Sequence, residues 1–247
     1  MTTHPHILGV ILAGGGSRRM FAREPEGGGT LIRHTLVGDT SIRDTSIKDK
    51  ALVDLAGLPM LAHVIDRFAP QVGRLLINAN GDPARFNSFG LEVIADSLPQ
   101  DAPSHRDSST RTSGHGPLAG LLAAMEWAAR SSPQATVIAT ITTDVPFLPL
   151  DLVQKLAAAG RPDQVVLAQS DGCLHSTIGL WPLNLAEDLE ATLRRGERRA
   201  KTFAERHGAI AVSFPISSIC GRTIDPFFNA NTPDDVRAAR ALLTGQP

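Results

Sequence analysis

Cysteine is scarce in this chain, charge of either sign is in no excess, and no long hydrophobic run occurs. The two cysteines, Cys173 and Cys220, have neither CxxC nor metal-site spacing, which excludes a disulfide framework. They read as ordinary buried or half-buried thiols in a reducing compartment, the cytoplasm by default. A formal net charge of −1 and a pI near 6.7 give no bulk attraction to nucleic acid or to a membrane. The N-terminal apolar run Ile7–Ala13 is far too short to span a bilayer, and it lacks the charged flank and cleavage pattern of a signal peptide.

What is present is the composition of a globular enzyme. Hydrophobic residues make up 42% and charged residues 20%, which argues against wholesale disorder. A chain of 247 residues buries a proper core either as one large α/β domain or as two small ones. The run Ile7–Leu12 ends abruptly in Ala13 and three glycines, and similar runs recur at Leu75–Ile77, Leu91–Ala95, Thr136–Ile141, Val165–Ala168, Ile178–Trp181 and Ile210–Phe214. Such runs suit strands buried on both faces. Helical spacing appears between them, over Pro59–Phe68, Pro117–Ala129, Leu150–Ala159, Leu185–Leu193 and Pro233–Leu243. Strands alternating with helices predict a parallel α/β sheet with right-handed crossovers.

Two stretches break the rhythm. Residues 21–48 are polar and glycine-rich and carry a tandem pentamer, Asp39–Arg43 followed by Asp44–Lys48. They read as a flexible surface insertion enlarged by duplication, or as a lid or partner-binding element. Residues 97–115, rich in Ser, Thr, Asp and Arg, read as a second long loop. Neither marks a boundary, so residues 1–247 are taken as a single domain.

Four places hold chemistry-bearing residues. After the first strand, Leu12-Ala13-Gly14-Gly15-Gly16-Ser17-Arg18-Arg19-Met20 combines a glycine turn with two arginines. Glycine lets backbone N–H groups face an anion without Cβ obstruction, and arginine adds charge-assisted bonds. The Gly-Lys-Ser/Thr of a Walker loop is missing, and Arg19 stands where the dinucleotide fingerprint needs its third glycine; a plain tight turn remains the alternative. Lys50, after the insertion, reads by itself as a solvated edge lysine. Asp144 closes the central strand, where parallel sheets bind ligands and where a carboxylate suits Mg²⁺; a turn aspartate before Pro146 is the other reading. In Asn229–Asp235, Thr232 caps the last helix with Pro233 at its first position and Asp235 at its third, which leaves the Asn229 and Asn231 amides for a ligand or a metal-bound water.

Taken in order, Leu12–Gly15 with Arg19-Met20, Asp49-Lys50, Gly57–Met60, Asn78-Ala79-Asn80, Asp96-Ser97, Gly116–Gly120, Thr143–Pro146 and Asn229–Pro233 resemble the molybdenum cofactor guanylyltransferases, within the wider nucleotidyltransferase superfamily. The resemblance runs from Ile7 to about Leu243, and Gly196–Arg199 also suits that family. It implies a Rossmann-like three-layer α/β sandwich, with a mostly parallel central sheet, of the nucleotide-diphospho-sugar transferase type. It implies that Leu12, Ala13 and Gly14 contact the guanine nucleotide, that Gly15 completes the turn, and that Lys50, Asn78 and Asp96 complete the pocket. Asp144 would bind nucleotide and Mg²⁺, Arg19 and Lys50 would neutralise the triphosphate, and Asn229 and Asn231 would lie near the metal or the pterin. GTP and molybdopterin, or molybdenum cofactor, are the implied substrates, with other cofactor-biosynthesis proteins and molybdoenzymes as further partners. The family passes from Arg-Met to Asp-Lys through a short turn, whereas residues 21–48 intervene here. Cytidylyl transfer, a sugar-phosphate acceptor, or nucleotide binding without catalysis are the rival readings.

Overall fold

The computed structural model describes residues 3–14, 49–97, 116–219 and 221–245. The expected insertion at 21–48, all but the first residue of the expected 97–115 loop, and Gly15, Arg19 and Cys220 lie outside them.

The expected strands all form. Strand β1 (His4–Leu12) is followed by a small hairpin, β2 (Asp54–Leu55) and β3 (Leu58–Pro59), and by helix α1 (Met60–Phe68). Next come β4 (Val72–Asn78), a 3-10 helix (Pro83–Phe89), β5 (Glu92–Ile94), α2 (Pro117–Ser131), β6 (Val137–Thr142) and α3 (Leu152–Ala159). The second half holds β7 (Val166–Ser170), β8 (Cys173–Pro182), α4 (Ala186–Arg194), α5 (Ala200–Arg206) and β9 (Ile210–Ser213). A second hairpin, β10 (Ser217–Ile219) and β11 (Arg222–Ile224), and α6 (Pro233–Thr244) complete the chain.

The main sheet has seven strands in the order β5-β4-β1-β6-β8-β7-β9. All are parallel except β8, which runs antiparallel to both β6 and β7. The sheet is thus mostly parallel, as the family resemblance implies, with β8 as its exception. Ser170 and Cys173 face each other across Asp171 and Gly172, whose φ angles of 45° and 74° make a tight left-handed turn. Such a turn returns the chain alongside itself, with no room for a crossover helix.

Alternation along the strands builds a core on each face. Ile7 and Ile11 of β1 point to one side, where Leu61, Val64 and Phe68 of α1 and Leu152, Val153 and Leu156 of α3 cover them. Leu8, Val10 and Leu12 point to the other, against Leu118, Leu121, Leu122 and Met125 of α2 with Leu189 of α4 and Phe203 of α5. Burial of α2 is nearly continuous around its circumference, as expected of a helix enclosed on all sides. A third cluster packs Val236, Ala239 and Leu242 of α6 on Leu55, Met60, Phe147 and Ala230. The result is a three-layer sandwich. Cys173, expected to be buried or half-buried, is exposed, because it opens β8 directly after the turn.

Candidate nucleotide and cation site

Leu12, Asn78 and Thr142 end β1, β4 and β6 in one register row. The chain builds β4 and β5 on one side of β1 and then crosses to β6 on the other. Loops leaving adjacent strands at such a switch diverge and open a crevice at the carboxyl edge. Ala13 and Gly14 leave β1 there, and Ala13 N–H donates to the Asn78 carbonyl at 2.8 Å. Among the described residues, a Cβ on Gly14 would meet nothing within 4 Å, so they leave the turn open.

Asp144, two residues beyond β6, is only 8% exposed. Thr142 Oγ1–H donates to its Oδ1 at 2.6 Å, and the Lys50 ammonium donates to its Oδ2 at 2.6 Å. The same Nζ donates to Asn231 Oδ1 at 2.8 Å. Lys50 is thus held inside, not on a solvated edge as its sequence setting alone suggests. Two hard oxygens, one carboxylate and one amide, converge on a single cationic point. Among the described residues no group of three or more His, Cys, Asp or Glu could hold a metal. A carboxylate and an amide oxygen together suit a hard cation that completes its shell with water and phosphate oxygens, as Mg²⁺ does, and in that sense the residues fit the ion.

The segment bearing Asn231 is fixed from several sides. Ala230 N–H donates to the Asp144 carbonyl at 2.9 Å. Thr232 and Asp235 form the expected capping box of α6, with Pro233 at N1, and Asp235 Oδ2 also accepts the Asn231 N–H at 3.0 Å. Asn229, by contrast, spends its amide on the Phe227 carbonyl at 3.2 Å. Asn231 meets the lysine; Asn229 stays within its own turn.

The other side of the crevice is built around Asp96. Asn78, 4% exposed, donates to Asp96 Oδ1 at 3.1 Å. Asn80 donates to Oδ2 at 2.8 Å and accepts the Asp96 N–H at 2.9 Å. Gly120 of α2 lies so close that a Cβ there would fall 2.1 Å from Asn78 Oδ1; the glycine sets the spacing between helix and pocket. The structure brings Lys50, Asp144 and Asn231 together at one end, pairs Asn78 with Asp96 at the other, and puts Leu12, Ala13 and Gly14 at the end of β1 between them. The contacts made by Thr142, Asp49, Asn80 and Arg85 were not expected from the sequence. Asn80 and Asp49 stood inside recognised motifs, whereas nothing in the spacing announced Arg85.

Residues 9–210 match the model of the MobA-like NTP transferase domain. A molybdenum cofactor guanylyltransferase of Mesorhizobium japonicum is 40% identical over 240 residues, 96% of each chain. One of a Bradyrhizobium species is 38% identical over 98% of this chain and 95% of its own. Among solved structures, molybdopterin-guanine dinucleotide biosynthesis protein A of Archaeoglobus fulgidus superposes with a TM-score of 0.59 at 18% identity. That superposition covers 97% of this chain and 100% of the other. The fold is that of the nucleotide-diphospho-sugar transferases.

Proposed function

The chain belongs to the MobA-like NTP transferase family, whose model it matches over most of its length, and from that premise we propose that it transfers GMP from GTP to the terminal phosphate of molybdopterin, molybdenum-loaded, forming the guanine dinucleotide and releasing pyrophosphate. The observation that carries the reading is the convergence of Lys50, Asp144 and Asn231 at the end of β6, one strand from the open turn at Ala13-Gly14. The relatives named molybdenum cofactor guanylyltransferase supply the substrates.

In this reaction an acceptor phosphate oxygen attacks the α-phosphorus, and the bond to pyrophosphate breaks. The acceptor is already ionised at neutral pH, so a general base is not required. The demands are alignment and neutralisation of charge on the leaving group. The turn at Ala13 and Gly14 borders the nucleotide, with the Ala13 N–H already held by the Asn78 carbonyl; Lys50 supplies a positive charge at the phosphates, and Arg19 adds a second. Mg²⁺, held by Asp144 with Asn231 beside it, would supply further neutralisation of the triphosphate. Asn78 and Asp96 hold the nucleoside end, Leu12 flanks it, and Asn229 lies toward the pterin. Residues 1–247 act as one nucleotidyltransferase domain in the cytoplasm.

Pyrophosphate release is to be measured with each of the four nucleoside triphosphates, with Mg²⁺ or EDTA, and with and without molybdopterin. Release only with GTP, Mg²⁺ and molybdopterin together is the expected result. Activity confined to CTP would replace the guanylyl reading by cytidylyl transfer. Tight GTP binding without turnover would make the chain a binding protein.

A further inference from the structure

The crevice has a nucleoside end at Asp96 and a phosphate end at Lys50, and one side chain bonds to the supports of both. Arg85, in the 3-10 helix Pro83–Phe89, spends its three nitrogens on two segments, its own loop and the turn at Asp49. Nη2 donates to the Asn80 carbonyl at 2.9 Å, Nη1 donates to the Asp82 carbonyl, and Nε donates to Asp49 Oδ2 at 2.9 Å. Asn80 is the residue that clamps Asp96 through both its carboxylate and its N–H. Asp49 is the residue whose other oxygen accepts the Ala51 N–H at 3.0 Å, setting the 3-10 turn that starts at Lys50. The guanidinium also lies 4.4 Å from the centre of the fully buried Phe86 ring, which limits its movement.

An arginine that merely tied down its own loop would need only the Asn80 and Asp82 carbonyls, both within five residues of it. The third bond crosses 36 residues to the lysine turn, with the Arg85 and Asp49 side chains 25% and 22% exposed. Planar guanidinium geometry lets one group fix three directions at once; a lysine, with a single nitrogen on a flexible stem, does not reproduce this. An unbroken path therefore runs from Lys50 through Asp49, Arg85 and Asn80 to Asp96.

We propose that Arg85 is a positioning residue that locks the two ends of the nucleotide site in register, so that Asp96 and Lys50 act on one GTP as a unit. This rests on the assignment of Lys50 and Asp96 to the nucleotide. The group touches no reacting atom. Its effect is to keep the α-phosphorus in line with the Asp144 end when the nucleoside is held at Asp96, where a shift of about 1 Å can lower the rate roughly 100-fold.

The test is a double-mutant cycle on GTP affinity, with Lys50→Met and Asp96→Asn measured singly and together, in the parent and in an Arg85→Gln background. In the parent, losing one end frees the nucleotide to shift, so the combined loss falls short of the product of the single losses by about fivefold, within the range of coupled sites. In the Arg85→Gln background the losses multiply to within about twofold, as for independent sites. Arg85→Gln also lowers kcat in the folded, GTP-saturated enzyme, which a purely structural loss would not do, and Arg85→Lys does not restore it. Asp49→Asn keeps an oxygen for the Ala51 N–H but removes the charge paired with Arg85. It has to reproduce the uncoupling, and it decides the matter if Arg85→Gln does not fold. Single losses with coupling unchanged by either variant would overturn the role of Arg85 and leave the nucleotide site standing. Lys50→Met and Asp96→Asn without effect on GTP binding would overturn the site and the coupling together.

Discussion

Asp144 shows how one carboxylate is prepared for two partners. Thr142 Oγ1–H occupies one of its oxygens and the Lys50 ammonium the other, with side-chain exposures of 17% for Lys50 and 12% for Asp144. A pair this far from water gives back much of its Coulomb attraction as desolvation, and removing one partner is costlier than the pair is worth, by about 3–5 kcal/mol when fully buried. Asp144→Ala would therefore mix a lost function with the loss of the carboxylate that balances the Lys50 charge. Asp144→Asn retains the shape and an acceptor for Lys50 while losing the charge. It is expected to lower kcat by at least about 100-fold, on the scale of one lost electrostatic partner, with a thermal midpoint closer to the parent than that of Asp144→Ala. Near-normal turnover of Asp144→Asn would remove it from the cation role. His175 belongs to the same scale. Ser170 has one hydroxyl proton and gives it to Asp225, at 2.7 Å, so His175 Nε2–H donates to Ser170 Oγ at 2.7 Å. Burial lowers the His175 pKa below its ordinary value, against the opposing pull of Asp225. The unfolded chain therefore takes up the proton first as pH falls. Stability is full above the ordinary imidazole pKa and declines through it toward the lower folded value. Burial and His6 lower His4 in the same sense. The thermal midpoint should fall on acidification from about pH 7.5 to about pH 5.5, and His175→Gln should flatten part of that slope; an unchanged slope would exclude the group. Asp144 was legible because a strand end marks a sheet edge, whereas Leu12 and Asn78 were named through the family resemblance alone. The pairing of Lys50 with a carboxylate 94 residues away has no local signature, and its surroundings suggested open solvent instead.

Elements were legible in proportion to their apolar payload. Seven strands and five helices follow from runs and spacings such as Ile7–Leu12 or Leu61, Val64 and Phe68. Helix α5 was missed because only Ala200, Phe203 and Ala204 of its seven residues are buried, too few for a period to emerge. Periodicity also carries no direction, so β8 was found without its antiparallel sense; Asp171-Gly172, a left-handed dipeptide at the strand junction, was the overlooked sign. At this scale two substitutions separate packing from capping. Thr232→Ala removes one half of the α6 capping box, an expected loss of about 1 kcal/mol seen as a lower denaturation midpoint, with weaker GTP–Mg²⁺ binding because Asn231 adjoins the cap. Gly120→Ala places a methyl where Asn78 Oδ1 now stands. Overpacking of this kind costs about 1–3 kcal/mol, and GTP affinity should fall with it as Asn78 is displaced from Asp96. Unchanged GTP affinity in a destabilised Gly120→Ala protein would show that Asn78 acts in packing alone.

For the whole molecule, the site joins parts that no single layer holds. Lys50 precedes α1, Asp144 follows β6, Asn231 leads into α6, and Asp96 follows the edge strand β5. Among the described residues no helix is long and apolar enough to cross a membrane, and the net charge of −1 leaves recognition to this local cluster. A ligand that bridges these parts should stabilise the chain by linkage: occupying one site at about 100 times Kd adds about 2.7 kcal/mol. For a chain of this size each 1 kcal/mol moves the thermal midpoint by roughly 2–4 °C, so saturating GTP with Mg²⁺ should raise it by roughly 5–11 °C. The cation share is separable. EDTA should reduce the shift in the parent, because the triphosphate then meets the Asp144 carboxylate with the Lys50 ammonium alone, and no divalent cation, to offset their repulsion. In Asp144→Asn that repulsion is gone, so EDTA should change the GTP shift far less. CTP at equal concentration should give the smaller shift if the pocket at Asn78 and Asp96 reads guanine. An equal shift with GTP and CTP would place base discrimination after binding, in the chemical step.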